Sequence, residues 1–254
     1  MPKPIRDLRV SILVPCYKRP EYTKRCLDAI CQAQKNYYYL CDVYVYDDGS
    51  QDGTDEIIYD AMINGYKKEP MLQCFFKENF FMFRRINKES EGLRNIILDF
   101  FEEIKPKNYD FIFKIDNDCL VPKNWLDDIL KVFENSDADI LSPNVHPSNA
   151  AFKYGREDTE GKGYRPAEIV GGLWIMKTSL IKDMDFERHE LNGLTGAISI
   201  LKQIVVEKEP NIGWVPDVIV QDIGHWSGKH PDHIKSEEHQ IYSKEVGRQI
   251  AWNV

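Results

Sequence analysis

One pattern constrains this chain more than any other: short apolar, β-rich runs alternate with helix-periodic segments over the first 140 residues. Val10–Val14 (VSILV) has the character of a strand buried on both faces. Tyr22, Cys26, Leu27, Ile30 and Ala33 then recur at helical spacing. Asp42–Tyr46 reads as a second strand, and TDEIIYDAMI as a second helix with Thr54 as its N-cap. Leu72–Phe76 is the expected third strand. Leu93, Ile96, Ile97, Phe100, Phe101 and Ile104 follow the i, i+3, i+4, i+7 pattern of an amphipathic helix. Tyr109–Ile115 is a fourth strand, Trp125–Phe133 a helix and Asp139–Ser142 a further strand. Alternation of this kind builds βαβ units and an α/β fold with a mainly parallel sheet flanked by helices.

After residue 142 the texture changes. NVHPSNAAFKYGREDTEGKGYRP is polar and punctuated by Gly and Pro, as in a long loop or hairpin. EIVGGLWIMK is an apolar strand, followed by a helix near 196–206 and a strand near 214–220. The expected organisation is a single domain over 1–254. It has a parallel half at about 8–142, a mixed half at about 143–225 and a C-terminal tail, 226–254, packed on the body. The aromatic-rich NYYYL and CFFKENFFMF read as core and strand.

Charge narrows the partners. A net charge of -8 argues against a nucleic-acid surface, although a nucleotide needs only a local site. No apolar run approaches the roughly 20 residues that span a bilayer, and Val10–Val14 is too short for a signal-peptide core. The expected compartment is the cytoplasm, with peripheral attachment at a membrane left open. The six cysteines contain no C-x-x-C pair and fit no zinc module, so they read as buried free thiols.

In sheets of this type, ligands bind beyond the carboxyl ends of the strands. Three polar stretches fall there: PCYKR after the first strand, DDGS after the second and DND after the fourth. Asp116 and Asp118 form a D-x-D whose carboxylates suit a hard divalent cation, Mn2+ or Mg2+, bridging a diphosphate. In YDDGSQDGTD, Gly49 and Asp52 explain a tight turn, but not the paired acids Asp47 and Asp48 at the strand end.

These stretches carry a resemblance. VSILVPCYKRPEYTKRCLDAI, VYVYDDGSQDGTDEI, GLRNIILD, YDFIFKIDNDCLVPKNWLDDI and IVGGLWIMKTSLI occur in an order and spacing similar to glycosyltransferase family 2, over about residues 8–182. That family comprises nucleotide-sugar transferases of the GT-A (Rossmann-like) fold. The resemblance implies that the parallel half binds the nucleotide and the mixed half the acceptor. Pro15, Tyr17, Arg19 and Asp48 would hold the nucleobase and ribose, with Arg94 and Asp116 near the nucleotide. Asp118 would be the closer metal ligand, with Asp116 beside it. Gly171, Gly172 and Trp174 would line the donor sugar and acceptor, with Trp174 either a stacking platform or core. His225 resembles a late metal ligand of GT-A enzymes, and Lys229 would neutralise a phosphate.

One departure matters. Inverting members carry an E-D pair at the start of the helix after the Gly-Gly strand, where the Asp is the general base. NGLTGAISILKQI has no acid. Asp185, Glu187 and Glu190 are the nearest carboxylates and the base candidates; otherwise the reaction is retaining. The expected activity is transfer of a sugar from a nucleoside-diphosphate sugar, UDP favoured, to a hydroxyl of a glycan or other acceptor. The alternatives are a non-catalytic nucleotide-sugar-binding module and a sugar-nucleotide pyrophosphorylase. The latter is disfavoured because PCYKRPEY lacks glycine.

Overall fold

The structure is a computed structural model that describes residues 7–33, 40–64, 80–146, 163–167, 170, 173–188 and 193–224. The chain divides into compact units Met1–Asp222 and Ile223–Val254, and the description concerns the first.

Strand β1 (Arg9–Cys16) is buried from Val10 to Cys16, and its side chains alternate between two cores. Val10, Ile12, Val14 and Cys16 face one layer, and Leu13 faces the other. β2 (Leu40–Asp47) repeats the pattern, with Cys41, Val43 and Val45 on the first face and Tyr44 and Tyr46 on the second. Two covered faces explain why both strands read as continuous apolar runs. Helix α1 (Pro20–Ala33) links β1 to β2 and buries Cys26, Leu27 and Ile30 in the first layer. Helix α2 (Thr54–Asn64) adds Ile58 to that layer.

Strand β3 occupies Phe80–Ile86 and pairs in parallel with β2. The expected strand at 72–76 lies outside the described residues. Helix α3 (Leu93–Ile104) packs on the second face, where Ile96, Ile97, Phe100, Phe101 and Ile104 are all at most 1% exposed. Burying each such side chain stabilises the fold by about 1.5–3 kcal/mol. β4 (Phe111–Lys114) then returns to the other side of β1. The chain has reversed its direction of travel, so crossovers of one hand put α1 and α3 on opposite faces.

The remaining elements are β5 (Cys119–Leu120), α4 (Trp125–Asn135), β6 (Ile140–His146), β7 (Arg165–Pro166), β8 (Trp174–Lys177), α5 (Gly193–Lys208) and β9 (Ile212–Asp222). Among the described residues the sheet has nine strands, in the order β3-β2-β1-β4-β8-β6-β9-β5, with β7 on β9. β3, β2, β1 and β4 are mutually parallel. β8 runs antiparallel between β4 and β6, and β5 and β7 run antiparallel to β9. The α/β class and the parallel first half agree with the sequence pattern. β5 and β7 are too short for periodicity to reveal.

Local chemistry corrects one cap. Thr54 is inside α2 rather than its cap: its N–H and hydroxyl both donate to Asp52 Oδ1, at 3.1 and 2.6 Å. The Gly53 carbonyl accepts from the Ile57 N–H. Cys16, Cys26, Cys41 and Cys119 are buried free thiols, and burial pushes each thiol upward in pKa. Cys74 lies outside the described residues. Among the described residues no helix is long and apolar enough to cross a membrane.

Candidate functional site

The switch in strand order beside β1 opens a crevice at the carboxyl edge of β1, β2 and β4. The three polar stretches meet there. The Lys18 N–H donates to Ser50 Oγ at 2.7 Å, joining the first stretch to the second. Asn117 Nδ2 donates to the Lys18 carbonyl at 3.3 Å and to Thr23 Oγ1 at 2.8 Å, joining the third to the first. Arg19 and Asp118 form an ion pair at 2.8 Å.

The β1 stretch turns sharply. Lys18 and Arg19 are consecutive non-glycine residues with φ of 59° and 63°, a left-handed conformation that costs on the order of 1–2 kcal/mol per residue. The contacts to Lys18 hold it, and the Arg19 carbonyl accepts the Tyr22 and Thr23 N–H groups at the start of α1. Strain of this kind persists only where the surroundings over-determine it. Pro15 is buried in β1 beside Tyr46, and Tyr17 is 47% exposed with the Lys18 ammonium 5.0 Å from its ring centroid.

At the end of β2 the two acids do different work. Asp47 is buried and accepts from the Ser50 hydroxyl and, at 3.4 Å, from the Ser50 N–H; burial raises its carboxyl pKa. Asp48 reaches across to the loop between β3 and α3. It accepts from Ser90 Oγ at 2.7 Å, the Glu91 N–H at 2.7 Å and the Gly92 N–H at 3.0 Å, with Asn87 Nδ2 at 3.4 Å. Gly92, the N-cap of α3, and Glu91 before it both give their N–H groups to Asp48, which ties the entry to the helix to the end of β2. Gly49 makes the junction possible. With φ of 75°, a Cβ there would lie 2.8 Å from the Glu89 carbonyl carbon.

At the end of β4 each acid of the D-x-D meets a cation. Asp116 pairs with Lys114, which is 1% exposed on the same face two residues earlier. Asp118, with a side chain 17% exposed, pairs with Arg19. Burial and the neighbouring carboxylates Asp116 and Asp222 nonetheless raise the Asp118 carboxyl to about 6. Asp222 arrives through the β5–β9 pairing, in which Cys119 faces it. Among the described residues no three His, Cys, Asp or Glu side chains are grouped to hold a metal ion. Sequence reasoning passed over Lys114, Asn117 and Asp222. A lysine inside the apolar run YDFIFKI, two residues before an Asp, is the signal for the first. The other two depend on pairing that no local pattern reveals.

The segment 184–188 forms the wall beside α3. The Met184 carbonyl accepts from Lys105 Nζ at 2.8 Å, and the Asp185 carbonyl from Gln203 Nε2 at 2.8 Å. Arg94, 4% exposed, directs Nε and Nη2 at the Glu187 carbonyl, at 2.9 and 2.7 Å, and Nη1 at Ser199 Oγ, at 2.8 Å. Arg188 donates to Asp99 and Glu102. Gln203 and Ser199 are one turn apart on α5, about 5.4 Å, so Asp185 lies a turn further from the start of α3 than Glu187 does. Both side chains are exposed.

Of the two readings of Trp174, burial selects core. It is 0% exposed and packs against Phe101 with ring centroids 6.2 Å apart, so it is core and offers no face to a sugar. Gly171, Gly172, Glu190, His225 and Lys229 lie outside the described residues.

The comparisons agree with this architecture. No curated protein sequence matches the chain. Among solved structures, a mannosyltransferase from Pyrobaculum calidifontis, PcManGT, in complex with GDP-Man and Mn2+ is similar at TM-score 0.65 and 18% identity, over 94% of this chain and 64% of that one. TarS 1-349 of S. aureus is similar at TM-score 0.57 and 16% identity, over 84% and 60%. The same protein in complex with UDP-GlcNAc gives TM-score 0.58 and 15% identity, over 84% and 58%. The chain therefore spans less than two thirds of the length of these neighbours. The family profile described as Glycosyl transferase family 2 matches residues 11–208, and with it the chain belongs to that family, on the GT-A fold.

Proposed function

We propose that this protein transfers a sugar from a nucleoside-diphosphate sugar to a hydroxyl of a glycan or other acceptor, with a divalent cation. The observation that carries the reading is the convergence of Tyr17–Arg19, Asp48–Ser50 and Asp116–Asp118 on one sheet edge. Family membership supports it, as do the nucleotide-sugar complexes of the neighbours. UDP is favoured by the resemblance alone.

The half-exposed Tyr17 ring offers a flat face to the base, and Asp48 shapes the opposite wall by fixing the 87–92 loop. Asp116 and Asp118 are hard oxygen donors, and Asp118 sits in a field of two further carboxylates that a cation would relieve, so the donor set fits Mn2+ or Mg2+. When bound, the ion supplies Lewis-acid neutralisation of the leaving diphosphate. Arg94 holds the acceptor-side segment in place through the Glu187 carbonyl. In this reading Glu187, whose backbone Arg94 fixes, is the candidate that takes the acceptor proton.

The test is hydrolysis and transfer with UDP-, GDP- and dTDP-sugars and Mn2+, in wild type and in Asp118→Ala. Sugar release by the wild type that falls at least about 100-fold in the variant is the expected result. Absence of release from every donor, with nucleotide still bound, would identify a binding module instead. The anomeric configuration of the product, read by NMR, decides between inversion and retention.

A further inference from the structure

We propose that Asn117, the middle residue of the D-x-D, is a positioning residue for the nucleoside wall. It touches no ligand. It fastens the Tyr17–Arg19 turn in the shape that presents the Tyr17 ring to the crevice. This rests on the reading of the site as a nucleotide-sugar pocket.

Asp116 and Asp118 have partly exposed side chains, whereas Asn117 between them is 8% exposed. Its contacts run back to the junction of β1 and α1. The amide Nδ2 donates to the Lys18 carbonyl at 3.3 Å and to Thr23 Oγ1 at 2.8 Å, and Thr23 is 0% exposed in the first turn of α1. An amide nitrogen carries two hydrogens, one for each acceptor. A carboxylate could not take this place, because the Lys18 carbonyl has nothing to donate.

The turn needs the tie. Lys18 and Arg19 stand at φ 59° and 63°, a region that residues with a Cβ avoid. The Lys18 N–H is held by Ser50 Oγ at 2.7 Å, and the Ser50 hydroxyl proton goes to Asp47. The Arg19 carbonyl accepts the Tyr22 and Thr23 N–H groups. The Lys18 carbonyl lies between these two anchors, and Asn117 holds it. β1 ends at Cys16 and α1 begins at Pro20, so any change in the turn is taken up by Tyr17, Lys18 and Arg19 alone. The strand end that offers two carboxylates to a cation thereby also sets the shape of the wall facing the base.

The test separates a tie from a ligand. Asn117→Asp keeps the shape and loses both donors. Its binding of UDP or GDP with Mn2+, measured by calorimetry, is expected to weaken about tenfold, the loss of a buried hydrogen bond with its acceptor left behind. Mn2+ alone, followed by the loss of its free EPR signal, is expected to bind at least as tightly as in wild type, because a carboxylate has been added beside the D-x-D. Asn117→Ala is expected to lose nucleotide affinity likewise and to bind Mn2+ as wild type does. Tyr17→Ala supplies the signature. It is expected to cost about tenfold in nucleotide affinity in wild type, the size of a base–aromatic stack. In Asn117→Ala it is expected to cost less than about twofold, because the ring is already displaced. A residue that only stabilised the fold would leave the two losses additive. Additive losses overturn the proposal, as does unchanged nucleotide affinity in both Asn117 variants, or Mn2+ affinity that falls with it. A wild type that binds neither nucleotide defeats the functional reading, and amide exchange without ligand still decides the tie. Asn117→Ala is expected to speed exchange at Lys18, Tyr22 and Thr23 about tenfold while the α3 amides keep wild-type rates. Unchanged exchange at those three overturns it.

Discussion

Asp118 is charged at neutral pH against its surroundings. Its carboxyl is raised to about 6 by burial and by Asp116 and Asp222, despite the Arg19 guanidinium at 2.8 Å. An acid raised above its ordinary value of 3.8 stabilises the fold only while protonated. That contribution is complete below about pH 4 and is lost as pH rises through about 6, a swing of about 3 kcal/mol. Asp118→Asn is therefore expected to melt several degrees above wild type at pH 8, with the difference vanishing near pH 4; equal midpoints at pH 8 would remove the electrostatic cost assigned here. Asp42, at the opposite end of the sheet, shows the same physics in a structural setting. Burial raises it, and the Tyr109 hydroxyl donates to it within a network that includes Tyr44 and Lys107.

At the scale of the element, α3 is the piece on which both sides of the crevice depend. Asp48, just past β2, holds the Glu91 and Gly92 N–H groups at its entry, its Arg94 grips the Glu187 carbonyl, and the Lys105 that follows it grips the Met184 carbonyl. Its apolar face is buried against the sheet. Removing Asp48 strips an acceptor from two N–H groups at once. Asp48→Ala is expected to destabilise the protein by about 2–4 kcal/mol, and to speed amide exchange from Glu91 to Asn95 ahead of the rest of the helix. Protection in that turn equal to wild type would show that the cap is dispensable. The sequence made this helix legible because six apolar residues repeat on one face. Its cap was not legible, because the acceptor lies more than forty positions upstream.

Taken as a whole, the molecule yields to sequence reading where the signal is periodic, and resists it where the signal is a pairing. β1, β2, α1, α3 and α4 follow from patterns of burial on one or two faces. β3 at Phe80–Ile86 was not singled out because CFFKENFFMF holds two aromatic runs, and register with β2 is what marks the second as a strand; the run at 72–76 lies outside the described residues. The meeting of the three polar stretches was foreseeable from their positions at strand ends. The ion pairs that join them were not: Arg19 and Asp118 are 99 residues apart, and a lysine in Lys114's place reads as surface until the sheet closes over it. Trp174 is an aromatic whose two readings, platform or core, only the packing of the second layer could separate.

Strand β8 sits between β4 and β6, yet it is made after both. During synthesis β4 and β6 therefore emerge with no hydrogen bonds between them. The β4 edge that β8 will cover stays open until residue 177 has left the ribosome. Open edges pair with whatever strand is nearby, including those of other chains. A fragment ending at His146 is expected to emerge from size exclusion as a broad, self-associated species; a monomer that unfolds cooperatively would show that the first half closes its own edge. The strand that arrives between β4 and β6 is thus the one that makes the β4 edge safe.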